Sequence, residues 1–273
     1  MKQKVWFITG ASKGFGNEWA KAALQRGDKV VATARTIDSL KDLQAEYKEG
    51  VLVLQLDVTQ REACFNAVEK AHRHFGRLDV VVNNAGYGLF GMVEEITEAE
   101  ARAQMETNFF GALWITQAVL PIMRKQQSGH IMQVSSIGGI IANISLGLYH
   151  ASKWALEAFS ESLSKEVASM SIHVTIIEPG GYRTDWGGSS AVHTCANADY
   201  GKVREEHAKV RGLFKLGDPK ATADVIMQIA DLDNPPLRIF LGEQSLQWAK
   251  DLYQSRIETW EKWQHLSLQA QGK

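Results

Sequence analysis

Cysteine is almost missing: only Cys64 and Cys195 occur in 273 residues, far apart and without metal-ligand spacing. That excludes a disulfide framework and a cysteine-based zinc site, and a reducing, cytosolic (cytoplasmic) setting fits. Charge of one sign is missing too, with 30 basic side chains against 31 acidic ones and a formal net charge of −1. Bulk electrostatics therefore offers nothing to nucleic acid or to an anionic membrane, although local basic sites stay open. No apolar run reaches the roughly 20 residues needed to cross a bilayer. The apolar start Val5-Trp6-Phe7-Ile8 ends at Thr9-Gly10, too short for a secretion signal. Proline is scarce, 5 residues against 23 glycines, while hydrophobic residues make up 45%. This composition excludes a disordered chain and suits a single domain spanning 1–273.

Short apolar runs alternate with amphipathic stretches. Strands are expected at Lys4 to Thr9, Lys29 to Ala34, Val51 to Leu56, Leu78 to Val82, Ile131 to Val134, Ile172 to Ile177 and Leu237 to Leu241. Helices are expected at Gly14 to Arg26, Ile37 to Tyr47, Arg61 to Phe75 and Ala221 to Asp231, and around Tyr149 to about Met170. Strands without strict alternation, separated by helices, build a parallel sheet covered on both faces. Thr97 and Glu100 form a capping box for a long helix to about Gln127, in which Pro121 predicts a kink or an early break. From Asp185 to Asp218 the periodicity fails; a long irregular insert of this kind is typically functional, here a substrate-binding lid. A final helix from about Gln244 to Leu268 carries Trp248, Trp260 and Trp263, for which packing on the chain's own core is the first reading and a subunit contact the second.

Gly10, Ser12, Lys13, Gly14, Phe15 and Gly16 lie between the first strand and the first helix. There, backbone N–H groups and the helix dipole meet a pyrophosphate. The glycine spacing is G-x-x-x-G-x-G, a longer loop than G-x-G-x-x-G, with the same use for tight turning and close backbone approach. At the end of the second strand Ala34 stands where an NAD site wants a carboxylate, and Arg35 follows it. A guanidinium there suits a 2′-phosphate, and Lys13 adds a second cation, so the pattern favours NADP(H). Tyr149 and Lys153 are four apart on one helix and share a face. An ammonium beside a phenol favours the phenolate and makes tyrosine a usable acid or base.

Together, this loop, Asn83-Asn84-Ala85-Gly86, Ser135-Ser136 and Tyr149-x-x-x-Lys153, in that order, resemble the short-chain dehydrogenase/reductase family over roughly Val5 to Thr184. The resemblance, to an NADP-preferring branch, implies a Rossmann-type doubly wound α/β sheet of seven mainly parallel strands with helices on both faces. It implies that Tyr149 is the catalytic acid/base and that Lys153 lowers its pKa and binds the nicotinamide ribose. Ser136 would hold the substrate carbonyl, Ser135 being the weaker choice, and Asn108 would maintain the site and a water-linked path to the lysine. Asp57 and Val58 would meet the adenine. Asn83, Ala85 and Gly86 would line the adenosine side, and Pro179, Gly180 and Thr184 the nicotinamide.

The expected reaction is hydride transfer between nicotinamide and a carbonyl or secondary alcohol, with reduction the favoured direction. Tyr87, Ile140, Ile141, Asn143, Trp186 and Phe214 fall in segments that border such a pocket and give it an apolar, aromatic wall suited to a hydrophobic ketone or aldehyde. A 3-oxoacyl carrier-protein reductase and a non-catalytic NADP-sensing regulator are the competing readings. The family resemblance further implies a homo-oligomer, dimer or tetramer.

Overall fold

The computed structural model describes residues 3–211 and 215–272. In chain order the elements are β1 (Val5–Ile8), α1 (Gly14–Gln25), β2 (Lys29–Ala34), α2 (Lys41–Tyr47), β3 (Val51–Gln55), α3 (Arg61–Phe75), β4 (Val80–Asn83), β5 (Leu89–Phe90), α4 (Glu98–Met105), α5 (Gly111–Gln126) and β6 (Gly129–Val134). There follow α6 (Gly147–Val167), β7 (Ile172–Pro179), β8 (Val192–His193), α7 (Gly201–Arg211), α8 (Thr222–Asp231), β9 (Arg238–Leu241), α9 (Ser245–Lys262) and α10 (Gln264–Ala270). Seven strands form one sheet in the order β3-β2-β1-β4-β6-β7-β9, and every pairing in it is parallel. The short strands β5 and β8 pair with each other, also in parallel.

Successive side chains of a strand point to opposite faces, and here both faces are dry. Trp6 and Ile8 enter a core shared with Trp19, Ala20 and Ala23 of α1 and Ile226 and Ile229 of α8. Val5 and Phe7 enter the opposite core with Val68 and Ala71 of α3, Ile115 and Val119 of α5 and Leu163 of α6. The two buried indoles keep their N–H groups satisfied: Trp6 donates to Asp28 at 2.8 Å, and Trp19 donates to Thr222 at 2.7 Å, tying α1 to α8. Among the described residues no helix is long and apolar enough to cross a membrane.

Three local expectations are corrected. Pro121 does not end its helix, because α5 runs on to Gln126. The carbonyl that Pro121 leaves without a donor belongs to Gln117 on the exposed side of the helix, where it is open to solvent. The irregularity falls instead at Glu106–Phe110, a π-helical turn between α4 and α5. The segment after Thr184 is not wholly irregular, since it holds β8 and α7. Finally, Trp260 and Trp263 are 61% and 50% exposed and do not pack on the core. Only the start of α9 is anchored, through buried Ser245 and Ala249, whereas Trp248 packs against Ile137, Ile140 and Ala249.

Close backbone approach at the start of α1 makes a sharp demand. A Cβ on Gly16 would lie 2.5 Å from the Gly10 carbonyl oxygen and 2.5 Å from Asn84 Nδ2. Gly16→Ala is expected to cost about 1–3 kcal/mol, the usual range for overpacking, read as a lowered Tm in thermal melts; an unchanged Tm would contradict this packing.

Candidate active site

The strand order reverses direction at β1, which is flanked by β2 and β4. In such sheets the crevice beyond the carboxyl ends of the strands is where ligands bind. A cavity of about 1550 Å³ lies there, lined from the ends of β1, β2, β4, β6 and β7. Of the residues picked out from the sequence, Gly10, Ser12, Lys13, Gly14, Phe15, Arg35, Asp57, Val58, Ala85, Gly86, Pro179, Gly180 and Thr184 line it, together with Ser136, Tyr149 and Lys153.

The glycine loop owes its shape to left-handed backbone at Gly10 (φ +65°) and Gly14 (φ +57°), a conformation glycine adopts without strain. It is pinned from β4 by Asn84, whose amide donates to the carbonyls of Thr9 (2.9 Å) and Gly10 (3.0 Å). Asn84, not Asn83, borders the cavity. Asn83 points into the protein and donates to Gln133 (3.0 Å) and Thr116 (3.1 Å), so its part is to brace β4 against β6 and α5. One residue further along the chain the opposite facing is expected, and that alternation is the signal that separates the two asparagines. Gly16 is not among the residues lining the cavity and is closely packed against Gly10 and Asn84.

α1 opens at Gly14 with no side-chain cap from Lys13 and no acidic residue in its first turn. Its leading N–H groups are thus suited to an anion, and the cradle fits a dinucleotide phosphate. Arg35 is exposed at the cavity edge, as a 2′-phosphate would require. Lys13 is differently engaged: its Nζ lies 2.7 Å from Asp185 Oδ2 and 3.4 Å from Ser189 Oγ, clipping the segment after Thr184 to the loop. Asp57 accepts from the backbone N–H (3.0 Å) and hydroxyl (2.8 Å) of Thr59, so it also shapes the turn before α3.

Among the lining residues Lys153 is buried and its Nζ donates to the Val134 carbonyl at 2.8 Å. Burial lowers its pKa to about 8, against the opposing influence of the Glu157 charge. Tyr149 is buried beside it, the ammonium 5.9 Å from the ring centre. The sequence reading expects Lys153 to lower the phenol's pKa; instead burial pushes it up to about 12, and the interaction with Ser136 is what pulls it back. Desolvation is the larger of the two influences on the phenol.

Ser136 accepts from the Gly138 N–H at 3.0 Å, and its own proton has only a long contact of 3.4 Å to the Pro179 carbonyl. Its loop is clamped by His150, a residue the sequence reading passed over although it adjoins Tyr149. His150 Nδ1 meets the Gly138 carbonyl at 2.8 Å and Nε2 accepts from the Asn143 N–H at 3.0 Å. That pairing fixes the neutral tautomer with its proton on Nδ1, and burial lowers the ring's pKa. Asn108 stands behind the cavity, in the π-helical turn. Its side chain accepts from the Tyr87 N–H and donates to the Tyr87 carbonyl, each at 3.0 Å, and donates to Ser152 Oγ at 3.1 Å. It thereby joins the loop after β4 to α6.

Of the expected pocket wall, Tyr87, Ile141, Asn143 and Trp186 border the cavity. Ile140 does not, being packed with Ile137 against Ala249, and Phe214 lies outside the described residues. Trp186 sits 4.9 Å from Tyr149 between ring centres and 5.3 Å from Phe90, so the segment after Thr184 passes over the phenol. Trp248 and Leu252 of α9 close the far end.

The profile of the family described as "short chain dehydrogenase" matches residues 4–193. The chain belongs to the short-chain dehydrogenase family. It is an oxidoreductase of that family, and its relatives agree in length as well as sequence. It is 42% identical over 270 residues to the oxidoreductase BOA17 of Botryotinia fuckeliana, covering 97% of this chain and 98% of that one. A solved short-chain dehydrogenase from Streptomyces avermitilis superposes with a TM-score of 0.92 at 37% identity, covering 98% of both chains. ElxO, solved with NADP bound, shares 27% identity and a TM-score of 0.77 over 90% of this chain and 100% of its own.

Asn108 offers a direct check of how short-chain dehydrogenase geometry is held here. Asn108→Ala would leave the Tyr87 N–H without its partner, while the Tyr87 carbonyl keeps the bond from Gln104, a loss of about 1–3 kcal/mol for the one group left unsatisfied. The expected outcome is a lower Tm together with faster amide exchange at Tyr87; retention of both wild-type values would overturn the bracing role.

Proposed function

We propose that this protein is an NADP(H)-dependent reductase that converts a hydrophobic ketone or aldehyde to its alcohol. The observation that carries the reading is the meeting, across one cavity, of a glycine cradle flanked by Arg35 with Tyr149, Ser136 and Lys153. The fold accepts either nicotinamide dinucleotide, and the residue after the second strand chooses: a carboxylate suits the ribose 2′-OH, an arginine the 2′-phosphate. Arg35 next to Ala34 supports NADP(H), and the NADP bound to ElxO accords with it.

The cradle of Gly10 to Phe15, with Arg35 and Thr184, would hold the cofactor, and Lys153 would meet the nicotinamide ribose. When bound, the nicotinamide supplies or accepts the hydride. Ser136 accepts from the Gly138 N–H, and its proton, engaged only by the long 3.4 Å contact to the Pro179 carbonyl, would turn to donate to a substrate carbonyl oxygen. Tyr149, with a pKa near 12, is protonated at neutral pH and serves as the acid that delivers a proton to that oxygen. In alcohol oxidation the same phenol would have to act as base, and burial disfavours that state. The part of the 185–218 segment at 185–192, clipped by Lys13 and carrying Trp186 over the phenol, would cover the site and exclude water. Tyr87, Phe90, Ile141 and Trp186 give the substrate an apolar, aromatic surrounding.

Steady-state assays with a carbonyl panel and both cofactors test this reading. Tyr149→Phe is expected to abolish turnover and leave NADPH binding nearly intact, whereas Lys153→Ala damages both; full activity in the Phe variant would end the mechanism. Arg35→Asp is expected to weaken NADPH binding by at least about tenfold, the scale of one lost charge-assisted pair, measured by fluorescence titration. Unchanged NADPH affinity would refute the role given to Arg35. Lys153 loses its proton near pH 8, so activity that needs the ammonium falls as pH rises through that value.

A further inference from the structure

Behind Lys153 lies a buried polar cluster that the proposed mechanism does not use. Glu157 follows Lys153 by one helical turn on α6, and Glu178 is the residue before Pro179 at the end of β7. Glu157 is 5% exposed and Glu178 fully buried. Both carboxylates approach a single nitrogen of Arg238 on β9, at 3.1 Å for Glu157 and 3.5 Å for Glu178. That guanidinium is itself partly exposed and also donates to the exposed Glu161 at 2.8 Å. Apart from Lys153, the two buried carboxylates thus share one guanidinium that a third carboxylate also engages. One oxygen of Glu157, both oxygens of Glu178 and the hydroxyls of Ser135 and Ser160 make no hydrogen bond of good geometry among the described residues, although Ser135 and Glu178 lie close enough to Glu157 to lower its pKa. Leaving two such charges together in the interior is prohibitive, and protonating one of them is the usual resolution.

We propose that Glu157 and Glu178 hold one proton between them, and that the single negative charge left on this pair keeps Lys153 ionised from behind the site. A shared proton turns one carboxyl into a donor for the other and relieves the unpartnered oxygens. The other charged groups facing the pair are Lys153 and Glu161 from α6, with Lys165 bonded to Glu161, and Arg238 from β9. Consistent with this geometry, burial and the Glu157 charge push Glu178 up to about 8, Arg238 opposing, while burial also raises Glu157. The Glu157 charge is the influence that raises Lys153 against its burial. Glu157 and Glu178 are positioning residues, and their effect on turnover rests on the reductase reading above, whereas the charge relation itself does not.

The test follows the Lys153 side chain by NMR in full-length protein labelled at lysine Cε, with the signal assigned by Lys153→Met. In Glu157→Gln the Lys153 titration is expected to move down by at least about half a pH unit, the small end of a close-charge effect, and Glu157→Asp restores it. In Glu178→Gln the whole charge stays on Glu157, so the lysine titrates at the same or a higher pH. Infrared spectra of the wild type at neutral pH should show a protonated-carboxyl C=O band that Glu178→Gln loses. A Lys153 titration unmoved in folded Glu157→Gln, a fall in both glutamine variants, or no such band in the wild type would each overturn the proposal. If Glu157→Gln does not fold, the opposite-sign expectation for Glu178→Gln and the band still decide it. Should the lysine behave as expected while the pH profile of turnover fails to follow, the reductase reading falls and the charge relation stands.

Discussion

The bond from Lys153 to the Val134 carbonyl is the constraint around which the site is arranged. An ammonium buried without a partner costs several kcal/mol, and here the partner is the last residue of β6, at the point where the strand hands the chain to Ser135 and Ser136. Holding the lysine there fixes the rotation of α6 about its axis. That rotation aims Tyr149 into the cavity, sets His150 against the loop that carries Ser136, and turns Glu157 inward toward β7. Opposed facings on one helix follow from a single anchored side chain.

Around that anchor the electrostatics are dominated by loss of water. Burial moves the phenol and the lysine in opposite directions, one toward its protonated form and the other away from it. The local sequence spacing suggests a simple pair in which the ammonium activates the phenol, and this is the part that spacing alone misjudges. Proximity on a helix face says who the neighbours are; it does not say which of them has already given its hydrogen bond to the backbone. The carbonyl of Val134 lies 19 positions away in the chain and is brought to Lys153 only by tertiary packing.

Much of the architecture is legible because it follows from local periodicity. The buried strands β1 to β4 and the helices between them appear as apolar runs and amphipathic stretches, and α3 ends at Gly76 with a left-handed glycine as its sequence predicts. The capping box at Thr97 is present as read. Less legible are features decided by which side of an element meets water. Pro121 is tolerated because its orphaned carbonyl is outside, and Trp260 and Trp263 stand exposed because α9 leaves the body of the protein after its first turns. Asn83 and Asn84 are a finer instance: identical neighbours, one bracing the sheet and the other shaping the loop, separated only by the alternation of a strand end.

The π-helical turn at Glu106–Phe110 has a bearing on how this chain tolerates change in length. A turn of this kind accommodates one residue more than the α-helix on either side of it, so it is where an inserted residue is stored. Removing a single residue there would return the helix to a regular pitch and swing α4 by about 100° relative to α5. Gln104, whose side chain holds the Leu89 N–H and the Tyr87 carbonyl, would leave its loop together with Asn108. Single-residue deletions in exposed connections elsewhere shift only their own surroundings, whereas here the register of one turn is shared by two side chains that hold the same loop.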